Sequence, residues 1–325
     1  MLLIDHATVE ELLDFPQLVE TLAPAMAELS RGEVSMPPRT GPRIAEVNGV
    51  LGVMSAYLSR SRILACKLVS IYPENAANNL PTHSALVVVY DPQTGIPVAL
   101  LDGGSITATR TAAGSALATK LLARAESRIL TIVGTGVQAR SHALGIPQVI
   151  PIDEIRIVGR NWNKAKALAA EVQSRSSCNA TPFDSIQDAL WNADIVCTTT
   201  HPSEPVLNWS WLSRGTHINS IGLERELDEE TVVNSSVFVE SRESVLADPP
   251  AGSNDLLLPI KAGAIDSTHI QAEIGELVTG KHSGRTSPEE ITLYKSVGVA
   301  VQDAVAAQLV LEIAQQSGRG VEITI

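Results

Sequence analysis

Ile129-Leu130-Thr131-Ile132-Val133-Gly134-Thr135-Gly136-Val137-Gln138-Ala139-Arg140-Ser141-His142 is the stretch on which the reading of this chain turns. Its first half is a short apolar run, the pattern of a strand buried in a sheet. The run leads straight into a GxGxxA turn and then into helix-compatible residues. In such a turn Gly134 permits the tight reversal, Gly136 lets the backbone approach a pyrophosphate, and Ala139 is small enough for helix and strand to pack. The N–H groups of the helix start then hold the phosphates. The competing reading is an ordinary glycine-containing strand-to-helix turn with no ligand. The strand before it and the helix after it favour the dinucleotide.

Downstream, strand and helix patterns alternate. Ile155 to Val158, Ile195 to Thr199, His217 to Ile221 and Val237 to Glu240 read as strands, and Lys164 to Val172 and Ile186 to Trp191 as helices. That alternation predicts a parallel sheet wound with helices. The end of the second strand also bears on which dinucleotide fits. NAD sites place an acidic residue about 20 residues beyond the glycines, on the ribose hydroxyls. Here the segment reads Ile157-Val158-Gly159-Arg160-Asn161-Trp162-Asn163-Lys164, without a carboxylate. Arg160 and Lys164 are available for a 2′-phosphate, so NADP(H) is preferred and NAD(H) remains possible. The bland alternative is that both cations only solvate a loop.

Upstream the texture differs. Val9 to Leu29 carries apolar residues at helical spacing, and Gly32 with Met36-Pro37-Pro38-Arg39 ends that helix. Leu51 to Met54, Ile63 to Tyr72, Ser84 to Tyr90 and Ile96 to Leu101 read as strands, the last two joined by a turn at Asp91-Pro92-Gln93-Thr94-Gly95. A mostly antiparallel first domain follows, bridged to the rest by a small-residue helix beginning near Thr107. At the other end, Ser287-Pro288-Glu289-Glu290 looks like a helix start, predicting one long helix over Ile291 to Ala314. The expected fold class is α/β: a Rossmann-type parallel sheet over 120–298, inserted in a mixed α+β domain of 1–119 with 299–325. The mixed domain is expected to bind substrate and dimerise.

Bulk properties narrow the partners. A formal charge of −12 repels phosphate backbones and anionic membranes, which argues against nucleic acid. The longest aliphatic stretch, Ala85 to Tyr90, falls far short of the ~20 residues of a membrane span. The first residues, Met1-Leu2-Leu3-Ile4-Asp5-His6, lack the basic region of a signal peptide. Cys66, Cys178 and Cys197 lie far apart with no CxxC spacing, against a disulfide framework or zinc knuckle and for a reducing, cytoplasmic setting. The histidines show no metal-ligand spacing, and HExxH, GxSxG and the Gly-rich turn ending in Lys-Ser or Lys-Thr are absent, so no metal is expected.

Against this acidic background a few cations stand out. Lys67 alternates with Ile63, Ala65, Val69 and Ile71 on one strand face, where it must snorkel, lose its proton or meet an anion. A lysine at the sheet margin with its amine in water is the plain alternative. Arg110, read as lying in the first turn of the bridging helix, opposes the helix dipole and calls for a compensating carboxylate or phosphate, a nearby Asp102, or solvent. Arg39 follows Pro37-Pro38 in a loop and is unremarkable alone.

Taken in order, Lys67 in its strand, Leu80-Pro81-Thr82-His83-Ser84-Ala85, Leu101-Asp102-Gly103-Gly104 with Thr107-Ala108-Thr109-Arg110-Thr111, Gly134-Thr135-Gly136-Val137-Gln138-Ala139 and Tyr294-Lys295-Ser296-Val297-Gly298 resemble the ornithine cyclodeaminase and mu-crystallin family. The resemblance implies a homodimer whose first domains join sheets, with each active site between the two domains. It also implies that Arg39, Lys67 and Arg110 clamp a substrate carboxylate. Thr82, Arg110, Thr111, Gly136, Val137, Gln138, Arg160, Asn161, Thr200, Ser296 and Val297 fall on or beside cofactor positions, joining Gly134 and Lys164.

One departure from the cyclodeaminase pattern follows the strand ending at Ile221. Cyclodeaminases carry Gly-Gly-Asp and a short insert there, the Asp being catalytic; this chain has the shorter Gly222-Leu223-Glu224-Arg225-Glu226-Leu227. Glu224 is the candidate for that role. With the missing acid at Gly159-Arg160, this departure points to the reductase branch: NADPH-dependent reduction of a small imino acid such as pyrroline-2-carboxylate or piperideine-2-carboxylate, with Lys67 donating the proton or polarising the bound carboxylate, and Glu224 or water as the alternative donors. An ornithine cyclodeaminase recycling NAD, an alanine-type dehydrogenase and a non-catalytic NADPH-binding protein are the alternatives.

Overall fold

In the computed structural model, residues 1–78, 80–249 and 251–324 are described. The chain divides into two compact units, one of Met1–Arg110 with Val299–Ile325 and one of Thr111–Gly298.

The first unit is built on long strands rich in β-branched residues. Its strands are β1 (Leu2–Ile4), β2 (Val34–Ser35), β3 (Arg43–Ile44), β4 (Gly49–Leu58), β5 (Ile63–Ile71), β6 (His83–Tyr90) and β7 (Pro97–Asp102). With a terminal strand at Val321–Glu322 they form one sheet in the order Val321–Glu322, β1, β7, β6, β5, β4, β2, with β3 also on β4. All pairings are antiparallel except β1 with β7. Register places Met54, Lys67, Val87 and Leu101 side by side across β4, β5, β6 and β7 on the buried face, which helix Ala300–Ser317 covers. On the other face Val53, Leu68 and Leu86 are neighbours, and Leu51, Leu68 and Leu86 are exposed. Period-two alternation thus yields a sheet apolar on both sides.

The expected single helix over Val9 to Leu29 is two, His6–Leu12 and Phe15–Ser30. Asp14 interrupts the pattern because its carboxylate accepts from Gln17 N at 2.8 Å, and Pro16 in the first turn prevents continuation from the preceding residues.

The second unit consists of β8 (Ile129–Val133), β9 (Glu154–Val158), β10 (Asn179–Phe183), β11 (Ile195–Thr198), β12 (His217–Ser220), β13 (Ser236–Val239), β14 (Ile270–Glu273) and β15 (Thr292–Lys295). All pair in parallel, in the order β10, β9, β8, β11, β12, β15, β13, β14. The chain runs outward from β8 to β10 and then returns to the other side of β8, so strand order reverses between β8 and β11. In doubly wound sheets that reversal opens a crevice at the carboxyl ends.

The predicted long helix from Ile291 is corrected here. Ser287 Oγ does accept from Glu290 N, at 3.2 Å, but the turn ends there. Thr292–Lys295 is instead a fully buried strand inserted between β12 and β13, and the helix begins only at Ala300, after Gly298 has taken φ +74°. Pairing on both edges outweighs the local helix-start signal.

Candidate functional site

In the first unit, Lys67 on β5 and Arg110 meet a residue that the sequence did not single out. Lys67 Nζ lies 2.7 Å from Asp303 Oδ2 and Arg110 Nε 2.9 Å from Asp303 Oδ1, so one carboxylate is shared between two cations. Arg110 Nη1 also donates to Gln302 Oε1 at 2.8 Å, and Lys67 Nζ is 3.4 Å from Thr107 Oγ1. The side chains of Lys67 and Asp303 are each only 2% exposed, which excludes the sheet-margin lysine. Helix Gly103–Leu122 starts earlier than expected, so Arg110 stands in its third turn and not its first. The dipole argument for a bound anion therefore lapses. Asp102, once a candidate partner of Arg110, instead accepts from Ser105 N at 2.8 Å. Asp303 and Gln302 supply the compensation.

Burial lowers the Lys67 pKa to about 8; the Asp303 carboxylate opposes the shift, while Arg110 and Arg39 add to it. Burial also works against the charged form of Asp303, yet Arg110 and Lys67 hold its pKa below the usual carboxylate value. Arg39 is half-buried and acts electrostatically on Lys67. Lys67 and Arg110 therefore share one carboxylate, and Arg39 is near enough to act on Lys67.

In the second unit, the glycine turn has the geometry a dinucleotide requires. Gly134 takes φ +132°, a conformation that side chains disfavour. Gly136 is the N-cap of helix Val137–Gly145, with no side-chain cap and no atom within 4 Å of where a Cβ would stand. Ala139 is fully buried, allowing the helix to close on β8. Gly159 abuts the turn, since a Cβ there would lie 2.8 Å from Thr135 Cγ2. These residues fit a pyrophosphate laid over Gly136. Val137 is exposed; Gln138 presents its carbonyl to His142 Nδ1 at 2.7 Å. Arg160 and Lys164 are exposed at the end of β9, and Asn161 caps the next helix by accepting from Lys164 N. Thr111 belongs to this unit, whereas Thr82 and Arg110 belong to the first.

Beyond the strand ends lies a feature with no signal in the sequence. Glu226 is fully buried and accepts from Thr198 Oγ1, Thr200 N, Thr200 Oγ1, Ser220 Oγ and Gly222 N at 2.7–3.0 Å. It thereby ties the turn after β11 to the turn after β12. Beside it, Lys295 Nζ meets Asp255 Oδ2 at 2.7 Å and Ser220 Oγ at 2.8 Å. Glu240, also buried, accepts from Val297 N and Gly298 N, fixing the Ser296–Gly298 segment; burial raises its pKa. Glu224 is half-buried, accepts from Asn254 Nδ2 at 2.9 Å, and lines a cavity of about 540 Å³ with His201, Glu204 and Arg225.

Other chemistry is poorly served. Burial pushes the Cys197 thiol up to about 12 and the His142 imidazole down to about 4, so neither is a reactive nucleophile or base near neutrality. All three cysteines are free. His6, Ser105 and Asp102 resemble a triad in composition, but Ser105 Oγ and Asp102 both approach the same nitrogen, Nδ1, and no relay results. Among the described residues, no group of three His, Cys, Asp or Glu could hold a metal, and no helix is long and apolar enough to cross a membrane.

The reversed strand order and the glycine turn define a Rossmann-type fold, accompanied by a mixed unit carrying a buried cluster of cations. More particularly, the chain belongs to the ornithine cyclodeaminase/mu-crystallin family, whose model matches residues 1–318. It is 38% identical over 302 residues to the ketimine reductase mu-crystallin of Rattus norvegicus, covering 91% of each chain. Among solved structures, the Delta(1)-pyrroline-2-carboxylate reductase of Thermococcus litoralis, in complex with NADH and L-proline, matches with a TM-score of 0.95 and 40% identity. That match covers 99% of this chain and 100% of the other. An archaeal alanine dehydrogenase dimer with bound NAD matches with a TM-score of 0.91 and 28% identity, covering 100% and 99%.

Proposed function

We propose that this chain is a cytoplasmic, homodimeric oxidoreductase that uses NADPH to reduce a small imino acid, such as pyrroline-2-carboxylate or piperideine-2-carboxylate, to the corresponding amino acid. The observation that carries the reading is the burial of Lys67 and Arg110 on a single carboxylate, with Arg39 close enough to act on Lys67. Two buried cations sharing a single carboxylate leave an excess positive charge in a dry setting, which attracts an organic acid. The similarity to a pyrroline-2-carboxylate reductase and a ketimine reductase supports an imine as the partner of that acid.

When bound, NADPH would supply the hydride that reduces the imine carbon, and the imine nitrogen would then need one proton. The chain's own residues do the rest. Arg39 and Arg110 fix the acid and so limit the orientations of the imine. Lys67, largely protonated at neutral pH, is the first candidate to give the proton, and Glu224, held by Asn254, is the second. Gly134, Gly136, Val137 and Gln138 would seat the pyrophosphate, and Thr82, Thr111, Thr200, Ser296 and Val297 would contribute the remaining cofactor contacts. Arg160, Asn161 and Lys164 favour a 2′-phosphate; NADH in the Thermococcus litoralis complex leaves NADH open as a substitute. The apolar face bearing Leu68 and Leu86 provides the dimer surface.

The test is oxidation of NADPH and of NADH against a panel of cyclic imino acids, with pyruvate plus amines and with ornithine as controls. Consumption of NADPH with a cyclic imino acid, lost in Lys67→Met while NADPH still binds, is expected. Ammonia release from ornithine without net absorbance change would instead identify a cyclodeaminase, and no turnover on any of these acids would identify a binding protein.

A further inference from the structure

Asp303 does more than neutralise charge, because its geometry is specific. Its two oxygens are divided, Oδ2 to Lys67 and Oδ1 to Arg110, and Gln302, the residue before it, holds a second arm of the same guanidinium. Both lie in the first turn of helix Ala300–Ser317, which packs on β5, so a rigid helix end sets the spacing of the two cations. We propose that Asp303 is a positioning residue of the reaction: its shared carboxylate keeps Lys67 an ammonium and fixes that ammonium relative to the Arg110 guanidinium. This rests on the imino acid reductase reading for its purpose, but the coupling of Asp303 to Lys67 can be measured without it.

The surroundings of Lys67 show why one carboxylate matters. Its lateral neighbours, Met54 on β4 and Val87 on β6, are apolar and buried. From helix Gly103–Leu122 come Thr107 and Arg110; from the segment before β3 comes Arg39; from helix Ala300–Ser317 comes Asp303. Burial, Arg110 and Arg39 all favour the neutral amine, and Asp303 alone among these charged groups favours the ammonium. Without it, a lysine with two cations for company and almost no solvent would release its proton. A released proton cannot be given to an imine nitrogen. The same carboxylate keeps the two cations from separating, so the acid meets a preformed pair.

If Lys67 donates the proton, imine reduction falls as pH rises through the Lys67 midpoint, expected near 8 in the unaltered protein. Replacing Asp303 by Asn removes the favourable charge, so the midpoint and the falling limb of kcat should both move down by about one pH unit or more. Asp303→Glu keeps the charge and should restore most of the shift. A carboxylate that is only structural would change stability and kcat without moving the limb.

The experiment is a titration of 15Nζ-labelled lysine by NMR in the full-length protein, with the Lys67 signal assigned by its loss in Lys67→Met, alongside pH profiles of kcat. A downward shift in Asp303→Asn, reversed in Asp303→Glu, supports the proposal; an unmoved midpoint overturns it, whatever the activity. If the midpoint moves while no imino acid is reduced by the unaltered protein, the coupling stands and the reductase reading fails. Should Asp303→Asn not fold, the unaltered protein still decides, because an ammonium lost below pH 7 would overturn the proposal and one retained above it supports it.

Discussion

A Cβ placed on Gly134 would lie 2.4 Å from Thr199 Oγ1 and 2.9 Å from the Thr199 carbonyl oxygen, so the glycine turn and the residue after β11 are built against each other. Gly134 also takes φ +132°, and steric crowding therefore adds to backbone strain. Gly134→Ala is expected to lower stability by about 2 kcal/mol or more and to abolish NADPH binding. Urea unfolding with fluorescence titration of NADPH checks both. An unchanged unfolding midpoint would remove the argument that this turn requires glycine.

Arg160 stands exposed at the end of β9, where an acid would serve NAD. A charge-assisted pair with a 2′-phosphate is worth enough that Arg160→Ala should reduce kcat/KM for NADPH by roughly tenfold to a hundredfold. The value for NADH should change by no more than about twofold, because the contact it loses is absent from that cofactor. Equal losses with both cofactors would show that Arg160 does not discriminate between them.

Glu226 accepts hydrogen bonds from two strand ends and the turns that follow them, with no exposure to solvent. Removing the acceptor strands several buried donors at once. Glu226→Ala is expected to cost roughly 3 kcal/mol of stability. Glu226→Gln should fold better, since one amide oxygen can still accept, yet should raise KM for the cofactor because Thr200 loses its tether. Denaturant unfolding and steady-state kinetics separate the two effects; normal stability in the Ala variant would mean that the donors find other partners.

Leu68 and Leu86 are cross-strand neighbours on the uncovered face of the first unit's sheet, 36% and 47% exposed. If that face joins two copies about a twofold axis, a carboxylate at Leu86 is buried in both halves of the interface. Leu86→Glu is then expected to yield a monomer in sedimentation velocity while the unaltered protein sediments as a dimer. A variant that remains dimeric would place the contact elsewhere.

Much of this arrangement is readable in the chain, and the portions that are not have a common cause. β8, its glycine turn and Ala139 are legible because the requirements are local: a short apolar run, a positive φ and a small residue one turn into the helix. Lys67 is legible as an anomaly, since alternation alone places it among apolar neighbours. Its partner is not, because Asp303 lies 236 residues away on a helix that begins at Ala300 and not at Ile291. Arg110 is legible for its charge, but its place in the third turn of its helix and its bonds to Asp303 and Gln302 remove the need for a bound anion that a first-turn position implies. Glu226 looks like any surface acid in a polar loop until the strand ends converge on it.

By itself the sequence determined the identity of the turn at 134–139, the alternation of strands and the presence of a lysine among apolar residues on one strand face, each a consequence of spacing within a few residues. Only the tertiary structure decided that Thr292–Lys295 is a central strand and not a helix, that Asp303 divides its oxygens between Lys67 and Arg110, and that Glu226 joins two turns. The reason is physical: hydrogen-bonded strand edges and buried charges find their partners across space, and the energies that select those partners exceed the local preferences a single stretch of chain expresses.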